Sequence, residues 1–557
     1  MTDAKNTPSD AQRDYKDTVF LPKTQFPMKA GLPQKEPGIE ARWREIDLYR
    51  QLREARAGRE KFILHDGPPY ANGDMHIGHA LNHILKDMVC RTQNLMGKDA
   101  PYVPGWDCHG LPIEWKVEEK YRKKKLNKDE VPAREFRAEC RAYAQHWVDT
   151  QREQLKRLGI MGDWDNPYLT MDAQAEGTIV SELLKFAEAG NLYRGSKPVM
   201  WSPVEKTALA EAEVEYEDLT DSPQIDVAFE ITDSPIAELV GAHAVIWTTT
   251  PWTIPVNQAL AYGADVEYSH FTLIADAVGV VEGKTGGEIA AIVNEASNRL
   301  HEAGLPFDCK RVIIAKDLVA DFMARLNKLA AKVDVTDLGA KNAVFAITGE
   351  QMGEGRSAPF ERLVNSVKGS ELAGTLAKHP MADRFPDSEF YTKPRPMLEG
   401  DFVTTESGTG LVHMSPDHGE DDFLLCKANG INPVFAVMDD GRYRDDWEWL
   451  GADDLDDDGK ARRRAVINKP FNAPDGPICN DLRDAGALLS ASADYSHSYP
   501  HSWRSKAKVI FRCTPQWFVP MDKDLDGGGT LRNRAMSEIE RVEFVPPKGK
   551  NRIGSMV

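Results

Sequence analysis

Residues 61–97 read KFILHDGPPYANGDMHIGHALNHILKDMVCRTQNLMG, and this stretch decides the fold. Phe62, Ile63 and Leu64 form a short apolar run ended by Asp66-Gly67-Pro68-Pro69, the pattern of a buried strand entering a forced turn. After His79 the apolar positions are Leu81, Ile84, Leu85, Met88, Val89, Leu95 and Met96. They fall on one face of a 3.6-residue helix, and Gly97 closes it. Strand, Gly/Pro loop and helix in that order predict the opening unit of an α/β nucleotide-binding sheet.

The chemistry sits where the loop becomes the helix, in Pro69–His79, PYANGDMHIGH. His76 and His79 straddle Gly78 at the expected helix N-terminus, where free backbone N–H groups and a positive partial charge favour phosphate. Gly78 lets a base or ribose approach the backbone without a Cβ in the way. The two imidazoles can donate hydrogen bonds to phosphate oxygens as charge develops at an α-phosphorus. HxxH alone is a weak signal, since histidines at this spacing are often structural or metal ligands. The preceding strand and the Asp-Gly-Pro-Pro turn give it weight.

Working outward, residues 40–57 predict an amphipathic helix through Trp43, Ile46, Leu48 and Leu52. Residues 116–130 are highly charged, with Lys123-Lys124-Lys125 inside, and read as a solvated helix face. A further amphipathic helix is expected over 141–158, and a Leu/Ala-rich one after Pro167. From about Val199 the texture turns to short β-rich runs such as AVIWTTT (244–250), with helical patterns near 286–304 and 315–332. Asp439–Lys460 is crowded with aspartate and reads as a solvated loop or helix start. From Tyr499 the chain is again strand-like, and it stops at Val557 with no evident terminal helix.

The 557 residues allow two to four domains. With 41% hydrophobic and 28% charged residues the composition is that of globular protein. No apolar run approaches the roughly 20 residues of a membrane span, and no signal core opens the chain. The cytoplasm is the expected location. Cys90, Cys108, Cys140, Cys309, Cys426, Cys479 and Cys513 never fall at CxxC spacing, so neither a zinc knuckle nor a disulfide framework is read. The net charge of −18 argues against a simple nucleic-acid-binding module, which would normally be basic. It is compatible with an enzyme that handles RNA through a local basic face.

Two more blocks carry polar groups in informative order. Gly105–Glu114, GWDCHGLPIE, sets Asp107 and Glu114 beside a Gly/Pro-rich turn, suited to gripping an ammonium group. Trp247–Leu260, WTTTPWTIPVNQAL, is followed at a distance by Gly408–Phe423, GTGLVHMSPDHGEDDF. Three threonines in a β-prone run are usually just a strand. No nucleophile–base pair stands out, so any hydrolysis there would use a positioned water.

Taken together these motifs resemble class I aminoacyl-tRNA synthetases, with PYANGDMHIGH as their HIGH motif and GWDCHGLPIE similar to the isoleucine-specific branch. The resemblance runs from LPKTQFPMKAGLPQKEP (21–37) to PPKGKNRIGSM (546–556). It implies a Rossmann-like parallel sheet interrupted by a largely β editing domain: a first catalytic part over 1–198, the insert over 199–488, and a return to the catalytic domain over 489–557. It implies ATP and Mg2+ as cofactors, with isoleucine and tRNA(Ile) as partners and no membrane. His76 and His79 would be catalytic, and Tyr70, Asn72, Gly73 and Gly78 would join them around ATP. Asp107 would bind the amino group of the amino acid, while Gly67, Pro68 and Trp517 line its pocket. In the editing pocket Thr248, Thr249, Thr250 and Asn257 would surround the terminal adenosine and ester. His413 would shape the rear, and Asp422 would hold the amino group of the mischarged residue.

The sequence departs from that pattern in two ways. Many family members carry paired cysteines flanking the insert, where this chain has Trp201-Ser202-Pro203-Val204-Glu205 and Ser502-Trp503-Arg504-Ser505; no zinc is expected. The family also continues into a KMSKS loop and an anticodon-binding domain, absent here, so the chain is expected to be an amino-terminal portion. Two other readings compete with the ligase: a chain active only as an editing hydrolase, and an inert fragment.

Overall fold

The computed structural model describes residues 18–20, 25, 29–279, 283–305, 310–348, 365–451, 457–467, 470–525 and 527–557. Cys309, most of the first twenty residues, part of the 21–37 segment and part of the aspartate-rich 439–460 run lie outside the described residues. The chain is α/β and divides into two compact units, residues 1–185 and 186–557.

The first unit is built on helices α1 (Leu32–Glu45), α2 (Leu48–Arg56), α3 (Ile77–Leu95), α4 (Leu111–Lys123), α5 (Ala133–Arg157) and α6 (Ala173–Glu188). Strands β1 (Gly105–Trp106) and β2 (Tyr168–Leu169) pair in parallel, and parallel bridges join Lys61 to Asp99 and Tyr70 to Asp107. Three chain segments therefore run side by side in one direction with helices between them, the parallel arrangement expected of a nucleotide-binding sheet. On α5, Ala144, Val148, Gln151 and Leu155 are buried at helical spacing. They pack with Trp106, Ile113, Tyr102 and Leu169 into this unit's core.

Four local expectations are revised. The helix expected over 40–57 is two helices, because Asp47 adopts a left-handed φ of 49° that ends α1 and starts α2. The Phe62–Leu64 run has one bridge beside it, not a ladder; Phe62 and Leu64 are half-buried and Ile63 is exposed, the alternation of an extended segment covered on one face. The apolar face of α3 is real but open, with Leu81, Leu85, Met88 and Val89 all exposed. At the far end of the chain, a helix spans Gly549–Met556 although its sequence has little periodicity.

The second unit opens with β3 (Tyr193–Ser202), β4 (Thr207–Ala208), β5 (Val214–Asp233), β6 (His243–Thr248), β7 (Ala259–Tyr262) and β8 (Glu267–Val278). Helix α7 (Gly286–Glu302), β9 (Arg311–Ala315), α8 (Val319–Ala330), β10 (Asn342–Thr348), β11 (Asn365–Lys368), β12 (Leu376–Ala377), α9 (Glu389–Thr392), β13 (Arg395–Glu399) and β14 (Leu411–Met414) follow. Then come α10 (Glu420–Ala428), α11 (Asp457–Arg463), α12 (Pro477–Asp484), β15 (Leu488–Ser502), β16 (Ile510–Phe518), α13 (Leu531–Arg541) and α14 (Gly549–Met556). An eleven-stranded mixed sheet runs β10-β8-β9-β6-β5-β12-β13-β7-β14, with β11 on β8 and β15 along β5. A smaller sheet orders β16-β3-β4. Helices α7 and α8 bury their apolar stripes, Ile292, Ala296 and Leu300 on one and Phe322, Met323 and Leu326 on the other. Among the described residues no helix is long and apolar enough to cross a membrane.

One buried charge ties this unit together. Asp226 on β5 has no exposed surface; Arg325 from α8 grips its two oxygens at 2.9 and 2.7 Å, and Ser490 of β15 donates to it as well. Removing one partner of such a pair leaves a buried charge uncompensated. Arg325→Met should therefore lower stability by about 3–5 kcal/mol, read as a fall in the urea unfolding midpoint of the full chain.

Candidate functional site

In the first unit, His76 is the N-cap of α3. Its Nδ1 accepts from the Gly78 N–H at 3.1 Å and the His79 N–H at 3.4 Å, while His79 Nδ1 accepts from the His76 N–H at 3.3 Å. The rings stack with centroids 3.8 Å apart. Because both Nδ1 atoms accept, the neutral rings carry their protons on Nε2, and two Nε2–H donors stand side by side. Burial, and then His76, lower the pKa of His79. The helix terminus thus differs from the expectation: two of its orphan N–H groups are already capped by a side chain. Gly78 has an internal reason too, since a Cβ there would lie 2.9 Å from His76 Cε1.

The loop before α3 is held from α5, by residues that sequence reasoning did not select. Tyr143 donates to Asn72 Oδ1 at 2.8 Å, Gln151 Nε2 to Gly73 O at 2.8 Å and Tyr70 O at 3.2 Å, and Gln154 accepts from Met75 N at 3.0 Å. Gln151 is fully buried and also takes the Trp106 indole N–H at 2.8 Å. Gly73, at φ 87°, needs to be glycine. A buried Gln at helical spacing from buried Ala144 and Val148 is the signal that could have found this brace.

Asp107 lies directly beside this loop. Ala71 N–H donates to Asp107 O, and Asp107 N–H to Pro69 O, both at 2.8 Å. Its carboxylate accepts from His109 N–H at 3.2 Å and from Thr170 Oγ1 at 3.4 Å, leaving acceptor capacity for a ligand. Pro68 packs close to Gly105 and Gly67 is exposed. Glu114 sits exposed in the first turn of α4. The structure so brings Tyr70, Asn72, Gly73 and Asp107 around one loop. Trp517 belongs to the second unit, where it is exposed on β16 opposite Arg194 of β3.

The second cluster is wholly within the second unit. Strand β6 delivers Thr248, whose Oγ1 lies 3.1 Å from Thr250 Oγ1 and accepts from Thr250 N–H at 3.1 Å; Thr249 between them is half-buried. Antiparallel pairing of β14 with β7 sets His413 opposite Leu260 and carries it to the threonine turn. Two residues missing from the sequence reading join the segments. Thr253 Oγ1 donates to Thr250 O at 2.8 Å and lies 3.0 Å from His413 Nε2. Ser415 donates to Val256 O at 3.1 Å, and its N–H donates to Asp422 Oδ2 at 2.6 Å. With the Thr253 proton already given away, His413 must donate through Nε2, so its buried and unpartnered Nδ1 is an acceptor. Asn257 spends its amide N–H on Ala259 O at 2.8 Å, and its Oδ1 is likewise buried without a partner. Both acceptors are enclosed, and the partly exposed polar groups of the cluster are Thr249, Thr250 and Asp422.

Glu205 clasps residues 202–205 to 502–505 through hydrogen bonds. Glu205 Oε1 accepts from Ser502 Oγ at 2.8 Å and from Ser505 N–H at 3.0 Å. Among the described residues no group of three His, Cys, Asp or Glu side chains could hold a metal ion. With one carboxylate, serines and neither Cys nor His, residues 202–205 and 502–505 lack the donors of a zinc knuckle.

Residues 38–557 match the family described as tRNA synthetases class I (I, L, M and V), and the chain belongs to that family. Its relatives are more particular. It is 54% identical over 562 residues to the isoleucine–tRNA ligase of Zymomonas mobilis subsp. mobilis, covering 100% of this chain and 51% of that protein. With the isoleucine–tRNA ligase of Agrobacterium fabrum the identity is 46%, covering 98% and 50%; with that of Gluconobacter oxydans it is 43%, covering 100% and 52%. The chain spans about half the length of these relatives. A LeuRS–tRNA–LeuAMS complex from Agrobacterium radiobacter K84 is similar at 15% identity and a TM-score of 0.29, over 72% of this chain and 44% of that one, too distant to inform the site.

Burial raises Asp422 to about 7, with Asp421 adding to the shift, while burial lowers His413 to about 4. A carboxyl raised above its unfolded value stabilises fully below about pH 4, and that contribution is lost as pH rises toward 7. His413 acts oppositely, adding stability as pH rises from about 4 to 6.5. Comparison with a variant isolates the Asp422 effect. The stability advantage of Asp422→Asn over wild type should grow between pH 4 and 7 and level off above, measured by urea titrations across that range. A pH-independent difference would show the carboxyl to be unperturbed.

Proposed function

We propose that this chain carries, from an isoleucine–tRNA ligase, part of the isoleucine-activating site and the hydrolytic site that removes wrongly attached valine. The observation that carries the reading is Asp107 paired onto the PYANG loop beside the two histidines, in a chain similar along its full length to isoleucine–tRNA ligases. In this reading residues 1–198 and 489–557 belong to the catalytic domain and 199–488 to the editing insert. The cytoplasm, where translation draws charged tRNA, is its place of work.

Activation joins the carboxylate of isoleucine to the α-phosphorus of ATP, and pyrophosphate leaves. The aminoacyl group then passes to the terminal adenosine of tRNA(Ile). Asp107 holds the ammonium group, and Gly67 and Pro68 line the side-chain pocket. Tyr70, Asn72, Gly73 and Gly78 shape the ATP cradle, and the paired Nε2–H groups of His76 and His79 donate to phosphate oxygens as charge builds. Magnesium, where bound, travels with the phosphates and neutralises them. The protein contributes mostly position and preorganised donors.

One methylene separates isoleucine from valine, the established case in which a hydrophobic pocket discriminates by only about 1–3 kcal/mol. A second site that admits valine and excludes isoleucine completes the selection. There Thr248, Thr249, Thr250 and Asn257 face the ester and adenosine, His413 forms the rear wall, and Asp422 takes the ammonium group. A second reading, a chain that acts only as an editing hydrolase, is favoured by one observation: all of these residues lie inside one compact unit.

The two readings separate by experiment. Isoleucine-dependent exchange of pyrophosphate into ATP, falling at least a hundredfold in His76→Ala and His79→Ala, supports the ligase; Asp107→Ala should raise the KM for isoleucine. Absence of exchange, with valine still released from valyl-tRNA(Ile) and lost in Thr249→Ala, Asp422→Ala, leaves the hydrolase. Neither activity would overturn both. Metal analysis should find zinc far below one per chain.

A further inference from the structure

The segment between the threonines and Asn257 contains Pro251 and Pro255, and Pro251–Val256 is buried throughout. Proline supplies no N–H, so a buried turn with two of them meets only part of its own carbonyls, Ile254 O from the Asn257 N–H at 3.0 Å among them. Side chains from a distant stretch meet those carbonyls in turn. Tyr443 donates to Trp252 O, His379 Nε2 to Ile254 O at 2.9 Å, Tyr391 to Pro255 O at 2.8 Å and Arg395 Nε to Asn257 O at 3.0 Å.

Each of these four is buried and committed. His379 Nδ1 accepts from Met381 N–H at 3.1 Å, which fixes its proton on Nε2. Arg395 gives its remaining nitrogens to the carbonyls of Phe390, at 2.9 Å, and Lys393. It forms no ion pair with any carboxylate among the described residues and lies over the Phe390 ring at 4.9 Å. Enclosing a guanidinium with no counter-charge is costly, and a turn needed only to reverse the chain does not demand it. What this arrangement delivers is rigidity at the backbone of Trp252–Asn257, next to Thr250 and up to the Asn257 side chain.

We propose that Tyr391, Arg395, His379 and Tyr443 form a positioning shell for the hydrolytic site, fixing the 252–257 carbonyls so that the threonines and Asn257 stand ready before the ester arrives. This rests on the reading of that segment as the hydrolytic site. The shell touches no substrate; it acts through the backbone, where small misplacements have large effects on rate.

The test uses the full chain with Tyr391→Phe, Arg395→Lys and Arg395→Met. Tyr391→Phe removes one hydroxyl and keeps the ring stacked on Phe385, with centroids 4.9 Å apart. Two readouts are needed. By hydrogen–deuterium exchange, a peptide covering residues 250–258 should exchange about five- to tenfold faster, with peptides from 311–330 unchanged. For valine release from valyl-tRNA(Ile), kcat should fall about five- to tenfold with KM within about twofold, and Arg395→Lys should retain more activity than Arg395→Met. Unchanged exchange over 250–258 overturns the shell, as does loosening spread evenly over the unit or an unchanged kcat beside an altered melting temperature. If the wild type releases no valine, the hydrolytic reading fails, and the exchange comparison still decides whether these residues brace the turn.

Discussion

Asp226 must be neutralised where water cannot reach it, and much of the second unit is arranged around that demand. Its carboxylate draws Arg325 from α8 and Ser490 from β15 onto β5. Arg325 reaches on to Gly408 O at 3.2 Å, in the turn that leads into β14 and so to His413. A single desolvated charge thereby couples a helix, two long strands and the approach to the candidate hydrolytic site. An arrangement of this kind selects one packing over its rivals, because any alternative that parts Asp226 from Arg325 strands a charge in the core.

The same demand, that buried polar groups find partners, recurs at each functional element. The proline-containing turn before Asn257 has its carbonyls met from Tyr391, Arg395, His379 and Tyr443. Glu205 closes a clasp with Ser502 and Ser505. In the first unit, Gln151 serves a strand end, a loop and an indole at once. Two enclosed acceptors without a partner, His413 Nδ1 and Asn257 Oδ1, lie in the cluster proposed as the hydrolytic site, and another, Glu205 Oε2, lies in the clasp.

Protonation follows from burial in the same cluster. Burial favours the neutral forms of both His413 and Asp422. An arriving ammonium group would complete the ionisation of Asp422, so that binding and proton release are linked. At the α3 terminus the two histidines instead fix one another's tautomers through reciprocal caps.

Local pattern was legible without coordinates: the Gly/Pro loop entering α3, the amphipathic faces of α5, α7 and α8, and the α/β class all follow from periodicity and turn chemistry. The block PYANGDMHIGH marked its loop because an apolar run and an Asp-Gly-Pro-Pro turn precede the two histidines. Tertiary structure alone decided what lies far apart in the chain. Nothing in the run 248–257 announces that its carbonyls need Tyr391 or Arg395, and no periodicity brings Ser415 between Val256 and Asp422. Nor does an apolar stripe say whether anything covers it, as the open face of α3 makes plain. Helices and turns arise from neighbours in sequence, which the sequence displays. Long-range pairing of buried polar groups depends on which surfaces meet, and only the folded chain brings them together.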